Sequence, residues 1–268
     1  YIEAGCASFR LTIQDDLTTQ QGLDRAMEAV EGAAADEYIH LWGALPCTGG
    51  SPWQNLNKRY PSARAKIRMH LATFQKLIRD FRKVARAVIA RGGDVSFEWP
   101  TGCSLWRTTE VSEMVEELSL NRVKVHGCAA GLVSKDGVPI KKPWTIATTS
   151  AALYDALEPM TCPGTTVHPV HAPCAGAETK KTELYTRVMA DAVHDAIREE
   201  ALTSRANQAM AVILEMESEF DDSFHEQDIL PEPSGHRPRI GSPGLWCAMI
   251  TKTLAPNDPL CRSKGAIE

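Results

Sequence analysis

The spacing of apolar and polar residues along the chain predicts strands that alternate with helices. Residues 38–45 form a continuous apolar run, which is typical of a strand buried on both faces of a parallel sheet. Further strand patterns occupy residues 1–8, 9–17, 94–99, 122–127 and 144–149. The clearest helix signal is an apolar stripe with steps of three and four, formed by Ile67, Leu71, Phe74, Ile78, Phe81, Ala85 and Val88.

The ends of the helices are marked by capping residues. Gly92 and Gly93 predict the end of the helix that carries the stripe, and Thr18 or Thr19 predicts the start of one that reaches about residue 31. Two more helices are predicted at about 108–119 and over 180–204.

Alternating strands and helices predict an α/β domain with a Rossmann-like, doubly wound and mostly parallel sheet. We place this domain at residues 1–204. Residues 205–268 contain a polar stretch at 213–240, and we expect them to form a polar linker and C-terminal tail.

Composition limits the class of protein. Hydrophobic residues make up 43% of the chain and charged residues 24%, so we exclude a wholly disordered chain. The eight cysteines are scattered, which argues against a secreted, disulfide-rich domain. We see no signal peptide and no apolar run of roughly 18 residues, so we expect an intracellular protein, nuclear or cytoplasmic, without a membrane span.

Cys47 and Glu98 are the strongest candidates for chemistry. Cys47 directly follows the run 38–45, and Glu98 ends the strand 94–98 after one crossover helix. Because ligands of open α/β sheets bind beyond the carboxyl ends of neighbouring strands, both side chains should face one crevice. A thiolate there can attack a ring that a nearby acid protonates. The alternative is that Cys47 is a small apolar residue of the core.

The segments around these two residues resemble cytosine-5 methyltransferases. LPCTGGSPW resembles the Pro-Cys loop of that family, and FEWP resembles the strand end that carries its glutamate. The order and the spacing of about fifty residues agree, KKPWTIATT resembles the basic strand that touches the flipped nucleotide, and the helix 182–200 resembles a closing helix. The resemblance covers roughly residues 1–200. It implies an S-adenosylmethionine-dependent enzyme acting on DNA, in which Cys47 attacks C6 of a flipped cytosine and Glu98 holds N3.

The same resemblance implies a cofactor site at the N-terminal end of the domain. It would include Glu3 and Gly5 of the segment IEAGC, and Pro46. Asp15 and Asp16 have two interpretations, as contacts to adenosine or as acids that favour the start of a helix. Between Cys6 and Arg10 there is no room for the first helix and second strand of a complete Rossmann half. Either that segment is missing from this chain, or the cofactor site is degenerate.

Three functions therefore compete. LWGALPCTGGSPWQ, FEWP and LWCAMITKTLAPNDPL together resemble methyltransferase-like segments of dinoflagellate retroelement polyproteins. The chain is then either an active cytosine methyltransferase or a catalytically inactive module of a retroelement polyprotein that binds nucleic acid. The third alternative is an unrelated α/β protein in which Cys47 and Glu98 are structural.

A basic stretch adds a candidate surface for nucleic acid, with DNA favoured over RNA. Residues 58–91 contain eleven Lys or Arg and a single acid, Asp80, whereas the net charge of the whole chain is −5. The stretch is either a solvated helix face or a set of phosphate contacts. The residues expected at nucleic acid are Ser51, Trp53, Arg79, Arg82, Lys83, Arg86, Lys141 and Lys142.

A run of Cys and His predicts a zinc site. Cys162, His168, His171 and Cys174 lie within thirteen residues and supply the two-Cys, two-His ligand set of structural zinc. Cys128 could replace one of them. The alternative is a proline-rich loop with incidental histidines.

Overall fold

The computed structural model describes residues 7–35, 37–174, 179, 182–221, 246–247 and 251–252. The helices are α1 (Gln20–Glu31), α2 (Gln54–Asn57), α3 (Pro61–Ala90), α4 (Thr109–Glu117), α5 (Ala151–Leu157) and α6 (Arg187–Asp221). The strands are β1 (Ala7–Ser8), β2 (His40–Gly43), β3 (Asp94–Pro100), β4 (Asn121–His126), β5 (Pro143–Thr148), β6 (Trp246–Cys247) and β7 (Thr251–Lys252).

The protein is an α/β domain whose main sheet is mixed. Its four strands have the order β2-β3-β5-β4, in which β2 and β3 are parallel while β5 is antiparallel to both β3 and β4. The predicted mostly parallel sheet is therefore not found among the described strands. The reason is the connection between β4 and β5, which holds a turn at Ser134–Gly137 rather than a helix. A connection of this kind reverses the chain, whereas parallel neighbours need a longer crossover.

The alternation of side chains along β3 divides the core into two layers. Val95, Phe97 and Trp99 are buried on one face, in the apolar cluster that α1, α3 and α4 complete. Trp144 and Ile146 of β5 belong to the cluster on the other face, which α5 and α6 cover. Helices thus lie on both faces of the main sheet, in which β2 and β3 form the one parallel pair among the described strands.

The apolar stripe and the capping residues predicted α1 and α3 correctly, whereas one predicted strand is absent from the structure. The stripe lies in α3, and Thr19 caps α1 by accepting from the backbone N–H of Gly22. The strand predicted at residues 9–17 was wrong, because Thr12 and Asp15 form a capping box that starts a short 3₁₀ turn instead. In the first strand pattern, only Ala7–Ser8 lies within the described residues, and it pairs with β6 and β7.

The C-terminal part of the domain differs from the prediction in two ways. Helix α5 lies between β5 and the Cys/His segment, where the sequence predicts no helix, and Ser150 caps it by accepting from the N–H of Leu153. Helix α6 runs through the domain boundary predicted at residue 204, so residues 205–221 are helical. None of the helices in the described part of the chain is both long and apolar enough to span a membrane.

Candidate functional site

Cys47 lies in a tightly held loop at the carboxyl end of β2. The indole N–H of Trp99 donates to the carbonyl oxygen of Leu45 over 2.6 Å, which ties the loop to β3. Beyond it, the carbonyl of Cys47 accepts from the N–H of Gly50 over 2.9 Å and closes a 3₁₀ turn. The half-buried Cys47 thiol is therefore held by backbone contacts on both sides.

Gly50 is required by the close approach of a second loop. A Cβ atom at this position would lie 2.5 Å from Cγ of Leu105 and 2.7 Å from Sγ of Cys103. Only a residue without a side chain fits there. The Cys103 thiol is itself 3.9 Å from the carbonyl oxygen of Cys47, so the two loops form one wall of the site.

Glu98 is buried in β3, next to the strand that leads to Cys47. Only 8% of the residue is exposed. The hydroxyl of Tyr185 donates to Oε2 of Glu98 over 2.7 Å, and the indole N–H of Trp42 donates to the Tyr185 oxygen over 3.3 Å. The carboxyl group is thus held in a fixed position by a residue that precedes α6.

Burial and charge perturb the acidic groups of the site. Burial raises the pKa of Glu98, while the hydrogen bond from Tyr185 and the positive charge of Lys142 oppose that rise. Burial also raises the pKa of the Cys47 thiol, and the negative charge of Glu98 raises it further. The two groups therefore share one electrostatic environment, and the resting form of Cys47 at neutral pH is the thiol.

Lys142 belongs to this environment rather than to the outer surface. Its ammonium group donates to the backbone oxygen of Thr182 and lies 5.4 Å from the centre of the Trp144 ring. Its charge lowers the pKa of both Cys47 and Glu98. The sequence predicted Lys142 as a phosphate contact, whereas the structure directs it toward the interior. Lys141, the next residue, is exposed.

Tyr185 was not predicted from the sequence. It lies 87 positions from Glu98, and no local pattern marks a tyrosine in that segment. Edge-on ring contacts with Trp42 at 5.7 Å and Trp144 at 6.1 Å hold its side chain over the sheet. The residue reaches the site only because the chain folds back before α6.

The predicted cofactor residues do not converge on one pocket within the described residues. Glu3 and Gly5 lie outside them, and Pro46 is exposed beside Cys47. Asp15 accepts from the N–H of Thr12 over 2.9 Å and pairs with Arg25 at 2.5 Å.

Asp16 accepts from the hydroxyl of Thr18 over 2.7 Å, and this bond lowers the pKa of its carboxyl group. Because Asp15 and Asp16 have local partners at the start of α1, the structural interpretation of these acids is favoured over contact with adenosine.

The four cations predicted on α3 are all paired within the protein. Arg79 and Lys83 contact the carboxylate of Asp80 at 2.8 and 2.9 Å. Arg82 and Arg86 both contact Glu117 of α4. Arg82 and Arg86 therefore join α3 to α4, whereas the pairs with Asp80 lie within α3. A phosphate group that binds these side chains would have to compete with their existing ion pairs.

An aromatic–basic surface follows Cys47 along the chain, formed by Trp53, Lys58, Arg59, Tyr60, Arg64, Lys66 and Arg68. Trp53 is 69% exposed and Tyr60 is 64% exposed. No ion pair within the described residues involves Arg59, Lys66 or Arg68. Ser51, which was also predicted at nucleic acid, is half-buried at the end of the Cys47 turn.

A Cys/His cluster that could hold a metal lies beyond the carboxyl end of β4. The ligand atoms of Cys128, Cys162, His168 and His171 all lie within 4.8 Å of one another. The predicted fourth ligand, Cys174, is not a member, because its sulfur contacts the Thr182 hydroxyl at 3.3 Å. Cys128 is the fourth member instead, because β4 and the turn after it bring this residue to the loop that carries the other three ligands.

Comparisons with known protein families, with curated proteins and with solved structures find no match for this chain.

Proposed function

We propose that this protein is a cytosine-5 methyltransferase-like domain acting on DNA, in which Cys47 is the nucleophile and Glu98 binds the base. The observation that carries the proposal is that Cys47 lies in the loop after β2, while Glu98 lies near the carboxyl end of the adjacent parallel strand β3, one residue past the last pair between the two strands. Ligands of α/β sheets bind at such an edge. We also propose that this mixed sheet is related to the complete, doubly wound sheet of the methyltransferases.

Glu98 is suited to bind a pyrimidine at N3. Burial shifts its carboxyl group toward the protonated form, and a protonated carboxyl group can donate a hydrogen bond to a ring nitrogen. Tyr185 holds one oxygen of the carboxyl group and leaves the other for the base edge. Proton donation at N3 keeps negative charge from accumulating on the ring when a nucleophile adds.

The Cys47 thiol would first lose its proton to solvent, and the resulting thiolate would add to C6 of the extruded cytosine. The S–C6 bond forms as the electrons of the C5–C6 double bond move into the ring, where Glu98 supplies the proton at N3. S-adenosylmethionine would supply the methyl group to C5. Loss of the C5 proton and of the Cys47 sulfur then restores the aromatic ring. Extrusion is necessary because C6 cannot be attacked within a stacked duplex.

The aromatic–basic surface would bind the strand that carries this base. Exposed aromatic rings stack on unpaired bases, and cations beside them neutralise the phosphates. Trp53 and Tyr60 occupy the segment that directly follows the Cys47 turn. A nucleotide leaving the stack would therefore pass these rings on the way to Cys47 and Glu98.

A catalytically inactive nucleic-acid-binding module of a retroelement polyprotein is the second candidate. Two observations favour it: the raised pKa of the Cys47 thiol, and the local partners that Asp15 and Asp16 already have. A thiol with a raised pKa is a poor nucleophile until a base or a positive charge activates it. In this alternative, Glu98 and Tyr185 hold the sheet edge together while the aromatic–basic surface binds nucleic acid.

DNA containing 5-fluorocytosine separates the two candidates. Fluorine at C5 cannot leave as a proton does, so an active enzyme remains bound through the S–C6 bond after methyl transfer. We expect a denaturation-resistant complex that requires S-adenosylmethionine and maps to the Cys47 peptide by mass spectrometry. Cys47→Ser should abolish the complex, whereas the control Cys174→Ser should form it. DNA binding without any such complex supports the inactive module, and absence of nucleic-acid binding overturns both candidates.

A further inference from the structure

We propose that Cys128, Cys162, His168 and His171 form a structural zinc site. The four donor atoms come from two separate parts of the chain, the turn after β4 and the loop that follows α5. Structural zinc is bound by four such Cys and His ligands in a tetrahedral arrangement.

The distances between the donor atoms agree with a tetrahedral site. Sγ of Cys162 lies 3.4 Å from Nε2 of His171 and 3.8 Å from Nδ1 of His168. With zinc–sulfur and zinc–nitrogen bonds of about 2.3 and 2.0–2.1 Å, neighbouring ligands of a tetrahedron lie about 3.6 Å apart. The two measured separations bracket that value, and all four donor atoms lie within 4.8 Å of one another.

The kinds of ligand determine which metal is suited. Two thiolates and two imidazoles are soft or intermediate donors, which select zinc over magnesium or calcium. Two thiolates also balance the charge of Zn²⁺, so the partly buried centre would carry no net charge. Because all four positions would be filled by protein atoms, no open position is left for a substrate, which is typical of a structural zinc.

The surrounding backbone holds the ligands in position. Nδ1 of His126 accepts from the N–H of Cys162 over 2.9 Å, and the N–H of Ala172 donates to the carbonyl of Pro139 over 2.9 Å. Within the loop, the N–H of His168 donates to the carbonyl of Gly164, whose φ of +93° favours glycine. These hydrogen bonds hold the backbone around the ligands, as the outer hydrogen bonds of metal sites orient the residues that bind the metal.

The loop that carries three of the ligands has little else to stabilise it. Residues 161–174 contain no helix or strand, and Val167 and Val170 are 62% and 66% exposed. A loop that buries so few apolar side chains gains little from the hydrophobic effect. A metal ion that joins it to β4 would supply that stabilisation, since the free energy of metal binding contributes to folding.

Elemental analysis of the full chain, purified in reducing buffer without chelator, tests this proposal. We expect roughly one zinc per chain, the stoichiometry of a single four-ligand site. Cys128→Ser should lose the zinc, while Cys174→Ser, which removes a neighbouring thiol outside the cluster, should keep it. Cobalt(II) in place of zinc should give the strong visible absorption of a tetrahedral thiolate site in the wild type and in Cys174→Ser.

Two further variants keep the test decisive if Cys128→Ser fails to fold. His168→Cys replaces one zinc ligand by another and should retain the metal, whereas His168→Ala should lose it. His126→Ala, which removes only the supporting hydrogen bond, should weaken zinc binding by about 10–100-fold. The proposal is overturned if the wild type takes up no zinc on reconstitution, if Cys128 and Cys162 form a disulfide under these conditions, or if Cys174→Ser loses zinc as Cys128→Ser does.

Discussion

At the scale of single residues, the chemistry depends on how Glu98 is held. A carboxyl group buried in the sheet would be costly if charged and without partners. Tyr185 supplies a hydrogen bond and Lys142 a positive charge, yet burial dominates and the pKa of Glu98 stays raised. Burial therefore favours the protonated form of a carboxyl group whose negative charge, when present, also acts on the Cys47 thiol.

The raised pKa of Glu98 makes a measurable contribution to the pH dependence of stability. Between its ordinary value of 4.5 and the higher folded value, the folded state binds more protons than the unfolded state. Stability from this group is complete below 4.5 and is lost as the pH rises through the folded pKa. The loss of stability grows with the separation between the two pKa values.

Glu98→Gln removes this titration and retains an acceptor for Tyr185. We expect the variant to gain stability relative to the wild type as the pH rises above 4.5, measured as the free energy of unfolding in urea at several pH values. Glu199→Gln, at an exposed position, serves as the control and should follow the wild type. A constant difference between Glu98→Gln and the wild type would contradict the assignment.

At the scale of elements, the loop between β2 and α2 is positioned by packing against the loop after β3. The contact is close because Gly50 presents only backbone toward Leu105 and Cys103. Since Cys47 starts the same turn, its place at the sheet edge depends on that contact.

Gly50→Ala tests the role of this packing. The added methyl group would meet Leu105 and Cys103 at less than normal contact distance, so we expect a loss of about 1–3 kcal/mol in the free energy of unfolding. Alkylation of Cys47 should become faster as the loop moves. Gly102→Ala is the matched control, because its Cβ would meet only Pro52 at 3.6 Å. Equal stability of the two variants would show that the loops are not packed as described.

At the scale of the whole molecule, positive charge is concentrated in one region although the net charge of the chain is −5. The C-terminal half of α3 uses its cations in ion pairs with Asp80 and Glu117, while the aromatic–basic surface presents cations to solvent. Nucleic acid is attracted by the local field of such a surface rather than by the total charge.

Two triple variants compare these regions. Arg59→Gln, Lys66→Gln and Arg68→Gln together should weaken binding to single-stranded DNA and reduce the slope of log affinity against log salt by about 0.7 for each phosphate that the protein no longer neutralises. Arg79→Gln, Arg82→Gln and Arg86→Gln together should change the slope little. Fluorescence anisotropy across a range of salt concentrations measures both, and the reverse result would assign binding to the paired cations instead.

The sequence by itself determined the features that depend on neighbours along the chain. The apolar stripe predicted α3, and apolar runs placed β2 and β3. Thr18 or Thr19 predicted the start of α1, and the structure selects Thr19. Because one crossover helix joins those strands, their adjacency also followed from local pattern.

Only the tertiary structure decided the contacts between distant parts of the chain. Insertion of β5 between β3 and β4 made the sheet mixed, and the return of the chain before α6 brought Tyr185 to Glu98. Cys128 rather than Cys174 joined the Cys/His cluster because β4 ends beside it. Periodicity and spacing report which face or turn a residue occupies, but which remote side chain meets it depends on the packing of all the elements together.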